Sequence, residues 1–342
     1  MKLLVSALEP SANLHLEPVL SALGPVELFG IFDPRFGTPH LPSSDFSVMG
    51  FLDVVPKIAM AKRAIKALVA LAKTVDHVLL IDSPAFNLPL AKAIKEAHPQ
   101  VKITYYILPQ VWAWKAKRAA KVEAYCDNLA SILPFESRWY PSAVFVGHPL
   151  LDEINEVKTS LTCKGKIAFL PGSRPKEIAR LMPLFKEVAS RLDKEAQLVI
   201  PPFIDPETIP ALYGDITGFT PVFNTHKALF ESDFAFVCSG TATLEAALIG
   251  TPFVLAYRAH WFDFAVAKRL VKLPYVGLAN IILGFMGKAP LHEELLQEAV
   301  SVSSLLEAYE RRDGALFLER SKALGALLEH GSAHHVAAMI RV

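Results

Sequence analysis

Phe234–Gly250 reads FAFVCSGTATLEAALIG. Its first five residues, Phe234–Cys238, form an apolar run with the length of a strand buried on both faces. Ser239-Gly240-Thr241-Ala242-Thr243 is a turn of small residues, and a helix is expected to open at Leu244-Glu245. A strand feeding directly into a helix sets the helix amino end beside the strand's carboxyl end. Free N–H groups and the positive dipole end there suit an anion such as a phosphate. Gly240 lets a ligand come close to the backbone. Glu245, about one turn in, either accepts hydrogen bonds from a sugar diol or merely complements the dipole. Such a unit is common in α/β proteins, so the rest of the chain must decide its meaning.

Working outward, the same alternation recurs. Lys166–Leu170, Gln197–Pro201, a segment within Asp215–Phe223, and Pro252–Ala256 read as strands around the opening stretch. Helices are expected up to Leu192, over Thr225–Phe230, over Trp261–Val271, and through most of Leu291–Leu328. The first half repeats the scheme with Lys2–Leu8, Val26–Phe32, His77–Ile81, Val101–Ile107, Asn128–Leu133 and Ala143–Val146. Between them, Asp53–Lys73 is an amphipathic helix with Ile58, Ala61, Ile65, Leu68, Val69 and Ala72 on one face. Lys62, Arg63 and Lys66 occupy the opposite face, which is either ordinary solvated surface or a membrane-contacting face. The expected fold is α/β, two tandem Rossmann-like domains with doubly wound parallel sheets facing a cleft. The expected domains are residues 1–160 and 161–329, with a last helix at about 330–342 packing back on the first.

Composition agrees. A chain of 342 residues with 52% hydrophobic and 20% charged residues is too long for one core and too apolar to be disordered. A net charge of +1 supplies no field for nucleic acid, so none is expected as a partner. Cys126, Cys163 and Cys238 are scattered with no CxxC pair, which points to a reducing cytosol. MKLLVSALEP has too short an apolar run for a signal peptide, and no uncharged apolar stretch reaches about 18 residues. A mean hydropathy of +0.33 leaves room for peripheral attachment to a membrane.

Polar residues end several apolar strands: Glu9, Asp82, Arg174, Ser239 with Gly240, and Arg258. Charges at that edge of a parallel sheet are either solvated caps or ligand contacts; as a set they favour a ligand. GxGxxG, GxxxxGK[ST], HExxH and Asp-x-Asp are all absent, so no nicotinamide, flavin or other cofactor and no metal is expected. A diphosphate would be met by helix amino ends and arginine instead. Tandem nucleotide-type domains with a metal-free diphosphate site describe a GT-B glycosyltransferase.

Ten segments then carry a resemblance: LEPSAN (Leu8–Asn13), MGFLDVV (Met49–Val55), IDSPAFN (Ile81–Asn87), LPQVWAWKAKR (Leu108–Arg118), LPFE (Leu133–Glu136), FVGHP (Phe145–Pro149), LPGSR (Leu170–Arg174), SGTATLE (Ser239–Glu245), Tyr257-Arg258 and AKRLVKLPYVGLAN (Ala267–Asn280). In this order they resemble the lipid-A-disaccharide synthase family of Gram-negative lipopolysaccharide assembly. The resemblance implies that UDP-2,3-diacylglucosamine gives its sugar to the 6-hydroxyl of 2,3-diacylglucosamine 1-phosphate, with inversion, at the inner face of the inner membrane. It implies Asp82 as general base, with a turn-forming Asp as the plainer account, and Glu9 beside it. For the donor it implies Gly172, Ser173, Arg174, Ser239, Gly240, Thr241, Glu245, Arg258 and Asn280, with Glu294 and Gln297 from a matching ELLQ segment. Ser11 and Asn87 fall to the acceptor. The aromatic group Trp112, Trp114, Phe135 and Trp139 is either core or lipid contact, and Lys62, Arg63 and Lys66 would meet anionic head groups. A homodimer is allowed for.

The usual family start is close to GE-[AP]-S-G-D, whereas this chain has Leu8 and Asn13 at the Gly and Asp positions. Ala85 replaces a second acid of the IDSPAFN turn, leaving Asp82 as its sole carboxylate. His15 is either a substitute base or a surface histidine. Two other readings are kept: another GT-B enzyme of UDP-N-acetylglucosamine, transferase or 2-epimerase, and a non-catalytic nucleotide or lipid sensor.

Overall fold

The computed structural model describes residues 1–47, 54–161, 163–259 and 273–341. Met49–Asp53 and the helix expected over Trp261–Val271 lie outside the described residues. So does the 267–272 part of the AKRLVKLPYVGLAN segment.

The chain divides into two compact units, Met1–Asp152 with Leu328–Val342, and Glu153–Leu327. The first unit has seven parallel strands among the described residues: β1 (Lys2–Ser6), β2 (Glu27–Phe32), β3 (Leu41–Pro42), β4 (His77–Ile81), β5 (Lys102–Tyr106), β6 (Asn128–Ser131) and β7 (Ala143–Phe145). Their order is β3-β2-β1-β4-β5-β6-β7. The second has β8 (Lys166–Leu170), β9 (Glu195–Val199), β10 (Thr220–Val222), β11 (Phe234–Cys238), β12 (Phe253–Tyr257) and β13 (Glu293–Leu296), ordered β10-β9-β8-β11-β12-β13. Both are doubly wound parallel sheets, and in each the strand order reverses once, beside β1 and β4 or beside β8 and β11.

Burial explains why these strands read as unbroken apolar runs. Every residue of β4 and β11 is buried because helices cover both faces. The second core is aromatic: Phe169 stacks on Phe236 with centroids 5.1 Å apart, and Phe185, Phe219 and Phe234 complete the group. In the first unit the carboxyl-terminal helix Ser332–Arg341 lays Val336, Ala337 and Ile340 against Leu16 and Val19 of helix Pro10–Leu23. Tyr106 and Ser332 hydroxyls meet at 2.5 Å, and Asp152 accepts from the Gly331 and Ser332 amides at the start of that helix.

Three expectations need correction. The boundary falls after Asp152, not at 160. The following segment binds the second unit: the Lys158 amide donates to Ile249 O at 2.8 Å and its ammonium to Ser232 O. Leu291–Leu328 is mostly helix, as Val302–Glu310 and Gly314–Leu328, but it opens differently: Glu293–Leu296 pairs with β12 as edge strand β13. Glu and Leu are good helix formers, so only the long-range pairing decides that segment. On helix Val54–Ala72, Leu68 and Ala72 are buried as expected, but Ile58 is exposed and Ala64 is buried in its place. No helix among the described residues is long and apolar enough to cross a membrane.

Candidate functional site

Ligands of doubly wound sheets bind outside the strand carboxyl ends where the order reverses. In the first unit that point is flanked by the ends of β1 and β4. Leaving β4, Asp82 and Ser83 both take left-handed backbone, with φ of 48° and 42°. Each such residue costs on the order of 1–3 kcal/mol, so its surroundings must hold it. The Asp82 carbonyl accepts from Asn87 Nδ2 at 2.8 Å and from the Tyr105 hydroxyl at 2.6 Å, while its N–H donates to Tyr106 O at 3.0 Å. The turn is thereby clamped, and the Asp82 side chain is left to face the sheet edge. Burial pushes its carboxyl above the usual range, and the charge of Glu9, from the loop after β1, pushes it further; His15 opposes. Glu9 and Ser11 are exposed.

Asn87 is wholly buried. It accepts from Ser6 Oγ at 2.6 Å and donates to Ile81 O and Asp82 O. Its amide thereby ties down the turn that carries Asp82. Asn13, at the position where the family usually has Asp, is a second pin. It donates to Ala7 O and Glu9 O and accepts from Asp33 N, fixing the loop that carries Glu9. An ionised aspartate there would turn lone pairs toward two carbonyls, so the amide suits this site.

The aromatic group separates. Trp112, Phe135 and Trp139 pack edge to face, and Trp112 Nε1 donates to Glu136 Oε1 at 3.2 Å. Glu136 is 1% exposed, is held also by Ser131 Oγ at 2.7 Å, and burial pushes its carboxyl up to about 7. Sequence alone offered no sign of this buried acid. Trp114 instead lies 45% exposed, with the Lys115 and Arg118 cations over its ring. It lines a hollow of about 220 Å³ together with Asp82, Gln110 and Arg118. Lys62, Arg63 and Lys66 are exposed on their helix.

In the second unit the reversal lies between β8 and β11. Gly172, after β8, has φ of 104°, and a Cβ there would fall 2.7 Å from Glu177 Oε2 and 3.2 Å from Cys238 Sγ. Only glycine lets this loop lie against the end of β11. Ser173 and Arg174 are exposed, and the Arg174 guanidinium donates to Glu177 at 2.9 Å. After β11 the helix begins at Thr241, earlier than expected, with Gly240 at its cap and Thr243 Oγ1 donating to Gly240 O at 2.8 Å. Gly240 has φ of 153°, and a Cβ on it would touch nothing within 4 Å. Gly240 and Thr241 at this helix amino end are exposed among the described residues, and Ser239 is half-buried.

Glu245 sits one turn inside this helix. Burial, and secondarily Glu153, push its carboxyl up to about 7. His226 Nε2 lies 3.6 Å away, and burial lowers that imidazole. His226 starts the neighbouring helix Thr225–Glu231 and carries no sequence signal that marks it.

Arg258 follows β12 and Gln297 follows β13, so the carboxyl edge of four adjacent strands gathers the candidate donor residues. Arg258 donates to Gln297 O and Val300 O, and the Gln297 side chain accepts from Ala259 N at 2.8 Å. Asn280 and Glu294 are a separate pair. Asn280 is wholly buried and is engaged by Leu291 N, His292 O and Glu294, while Glu294 also accepts from the Val276 and Gly277 amides. Through Glu294, Asn280 braces the turn at Gly277.

Comparison with known proteins gives the family. The family model for lipid-A-disaccharide synthetase matches residues 3–313. The chain is 49% identical to lipid-A-disaccharide synthase of Campylobacter jejuni strain RM1221, covering 98% of each. It is 49% identical to that of Helicobacter pylori strain G27, covering 98% of this chain and 96% of the relative. Among solved structures, Acinetobacter baumannii MurG superposes with a TM-score of 0.60 at 13% identity over 99% of both chains. A UDP-GlcNAc 2-epimerase from Neisseria meningitidis, bound to UDP-GlcNAc, gives 0.58 at 14% identity over the whole of both. Those likenesses carry the fold alone, which is GT-B; the family model and the near full-length identities show the rest, that the chain is a glycosyltransferase belonging to the lipid-A-disaccharide synthase family.

Proposed function

We propose that this chain transfers the sugar of UDP-2,3-diacylglucosamine to the 6-hydroxyl of 2,3-diacylglucosamine 1-phosphate, releasing UDP and forming a β-1,6-linked disaccharide 1-phosphate. The observation that carries this reading is the clamped Asp82 turn. A carboxylate whose proton affinity is raised above the usual range by burial and by Glu9 is a stronger base toward a hydroxyl proton than a free aspartate. Removing that proton as the hydroxyl attacks the anomeric carbon from the face opposite the diphosphate inverts the configuration.

Leaving-group charge falls to the second unit. The amides at Gly172-Ser173 and at the helix start of Ser239-Gly240-Thr241 face the diphosphate, and Arg174 adds a positive charge. Ionised Glu245 accepts the ribose hydroxyls. Arg258 and Gln297, tied to each other, shape the same edge, with Glu294 and Asn280 bracing it. Exposed Lys62, Arg63 and Lys66, with Ile58 on the same helix, support attachment to an anionic lipid surface, from which the acyl chains enter.

The test is direct: purified protein, both lipid substrates dispersed in detergent, and analysis for UDP and disaccharide. Equal amounts of the two products support the reading. No disaccharide from intact substrates sinks it.

A further inference from the structure

Beside the hollow that contains Asp82 lies a second of about 360 Å³, and the two share Pro84 and Arg118 as a common wall. The second has apolar sides, Leu88, Pro89 and Tyr125, and three cations on its rim, Lys92, Arg118 and Lys121. They come from two helices, Pro84–Ala97 and Arg118–Tyr125, so the convergence is a property of the fold and not of one stretch of charge.

Arg118 is the unusual member. It is half-buried, and no carboxylate among the described residues lies within ion-pair distance of it. Its recorded partner is the Trp114 ring, 5.5 Å from the guanidinium carbon. Lys92, by contrast, is exposed and pairs loosely with Glu96 at 3.6 Å. Partly desolvated guanidinium without a counter-ion is unfavourable unless an anion arrives to complete it. Its planar fork matches two oxygens of a phosphate, which a lysine does not do. The Ser83 hydroxyl, at the start of the first of these helices, is buried without a partner in the same turn as Asp82.

We propose that Arg118, with Lys121 and Lys92, is the binding site for the phosphate of the acceptor, a glycosyl 1-phosphate monoester; this rests on the reaction proposed above. The 6-hydroxyl and the 1-phosphate leave a pyranose ring from different sides. A sugar laid across the shared wall puts the hydroxyl at Asp82 in one hollow and the phosphate among the cations in the other. Trp114, exposed at the edge of the first hollow, offers its face to the ring. The phosphate thereby selects the acceptor and aims its hydroxyl.

The experiment compares the acceptor with its dephosphorylated counterpart, using full-length wild type, Arg118→Gln, Arg118→Lys and Lys121→Gln. Wild type should prefer the phosphorylated acceptor about 100-fold in kcat/KM, the scale of losing charge-assisted hydrogen bonds. Arg118→Gln should raise the acceptor KM about 30-fold, leave the donor KM unchanged, and cut the preference to below about tenfold. Arg118→Lys should recover part of the loss, and Lys121→Gln should lose less. An unchanged acceptor KM in Arg118→Gln, or an equal loss on both acceptors, overturns the proposal. So does weaker binding to anionic vesicles with acceptor preference intact, which would make the patch a membrane contact. Titration of wild type and Arg118→Gln with glucosamine 1-phosphate separates failure of this site from failure of the reaction. Arg118-dependent binding by a protein that makes no disaccharide would sink the reaction and keep the phosphate site; absent binding by a protein that does make disaccharide would sink the site alone.

Discussion

The two reversal points share a topology and solve opposite problems. At the end of β4 the chain forces non-glycine residues, Asp82 and Ser83, into left-handed backbone and holds them with Asn87 and Tyr105. At the ends of β8 and β11 it uses Gly172 and Gly240, and a Cβ on Gly240 would meet nothing within 4 Å among the described residues. A base must present one oxygen in one direction, so strain and side-chain clamps are accepted there. A diphosphate is met by backbone amides, which work only where no side chain stands in front of them. In the proposed reaction the acidic turn moves a proton and the glycine turns hold an anion. Each would fail with the other's residues.

The contrast can be broken most severely at its strained end. Asp82→Asn keeps the size and the turn but removes the base, and kcat should fall about 10³-fold. A loss below tenfold would move proton transfer elsewhere. Asn87→Ala removes one partner from three buried hydrogen bonds, so the folded state should lose about 2–4 kcal/mol by urea titration, and kcat should fall with it. Unaltered stability would mean that the turn holds itself.

At the open end the effects are smaller and depend on pH. Glu245 is pushed up to about 7, so below pH 7 it is mostly protonated and offers the ribose fewer lone pairs. UDP affinity should weaken about three- to tenfold between pH 8 and pH 6, and Glu245→Gln should flatten that profile. A wild-type profile that is already flat would remove Glu245 from the ribose. The smallest effect concerns Glu9. Its charge raises the Asp82 carboxyl, so Glu9→Gln should move the acid limb of kcat/KM for the acceptor to lower pH. A shift to higher pH would contradict the assignment.

Much of this was legible in the chain because strands buried on both faces announce themselves, and their ends can be counted. His77–Ile81 and Phe234–Cys238 are uninterrupted apolar runs, so the positions of Asp82 and Ser239 followed directly. What was not legible depends on partners distant in sequence. Glu293–Leu296 carries helix-forming residues and becomes a strand only because β12 offers it an edge. Asn87 and Asn280 look like ligand contacts in their motifs, yet the folded chain consumes both amides. Glu136 has the composition of a surface acid and lies buried under Trp112. Spacing along the chain does not show which polar atoms will find each other.

The division of labour itself, base on the first unit and donor on the second, is tested by UDP binding to the Asp82→Asn chain measured by titration calorimetry. If the division holds, its Kd stays within about twofold of wild type while turnover is lost. A fall in UDP affinity matching the fall in turnover would contradict it, because Asp82 would then belong to the donor site.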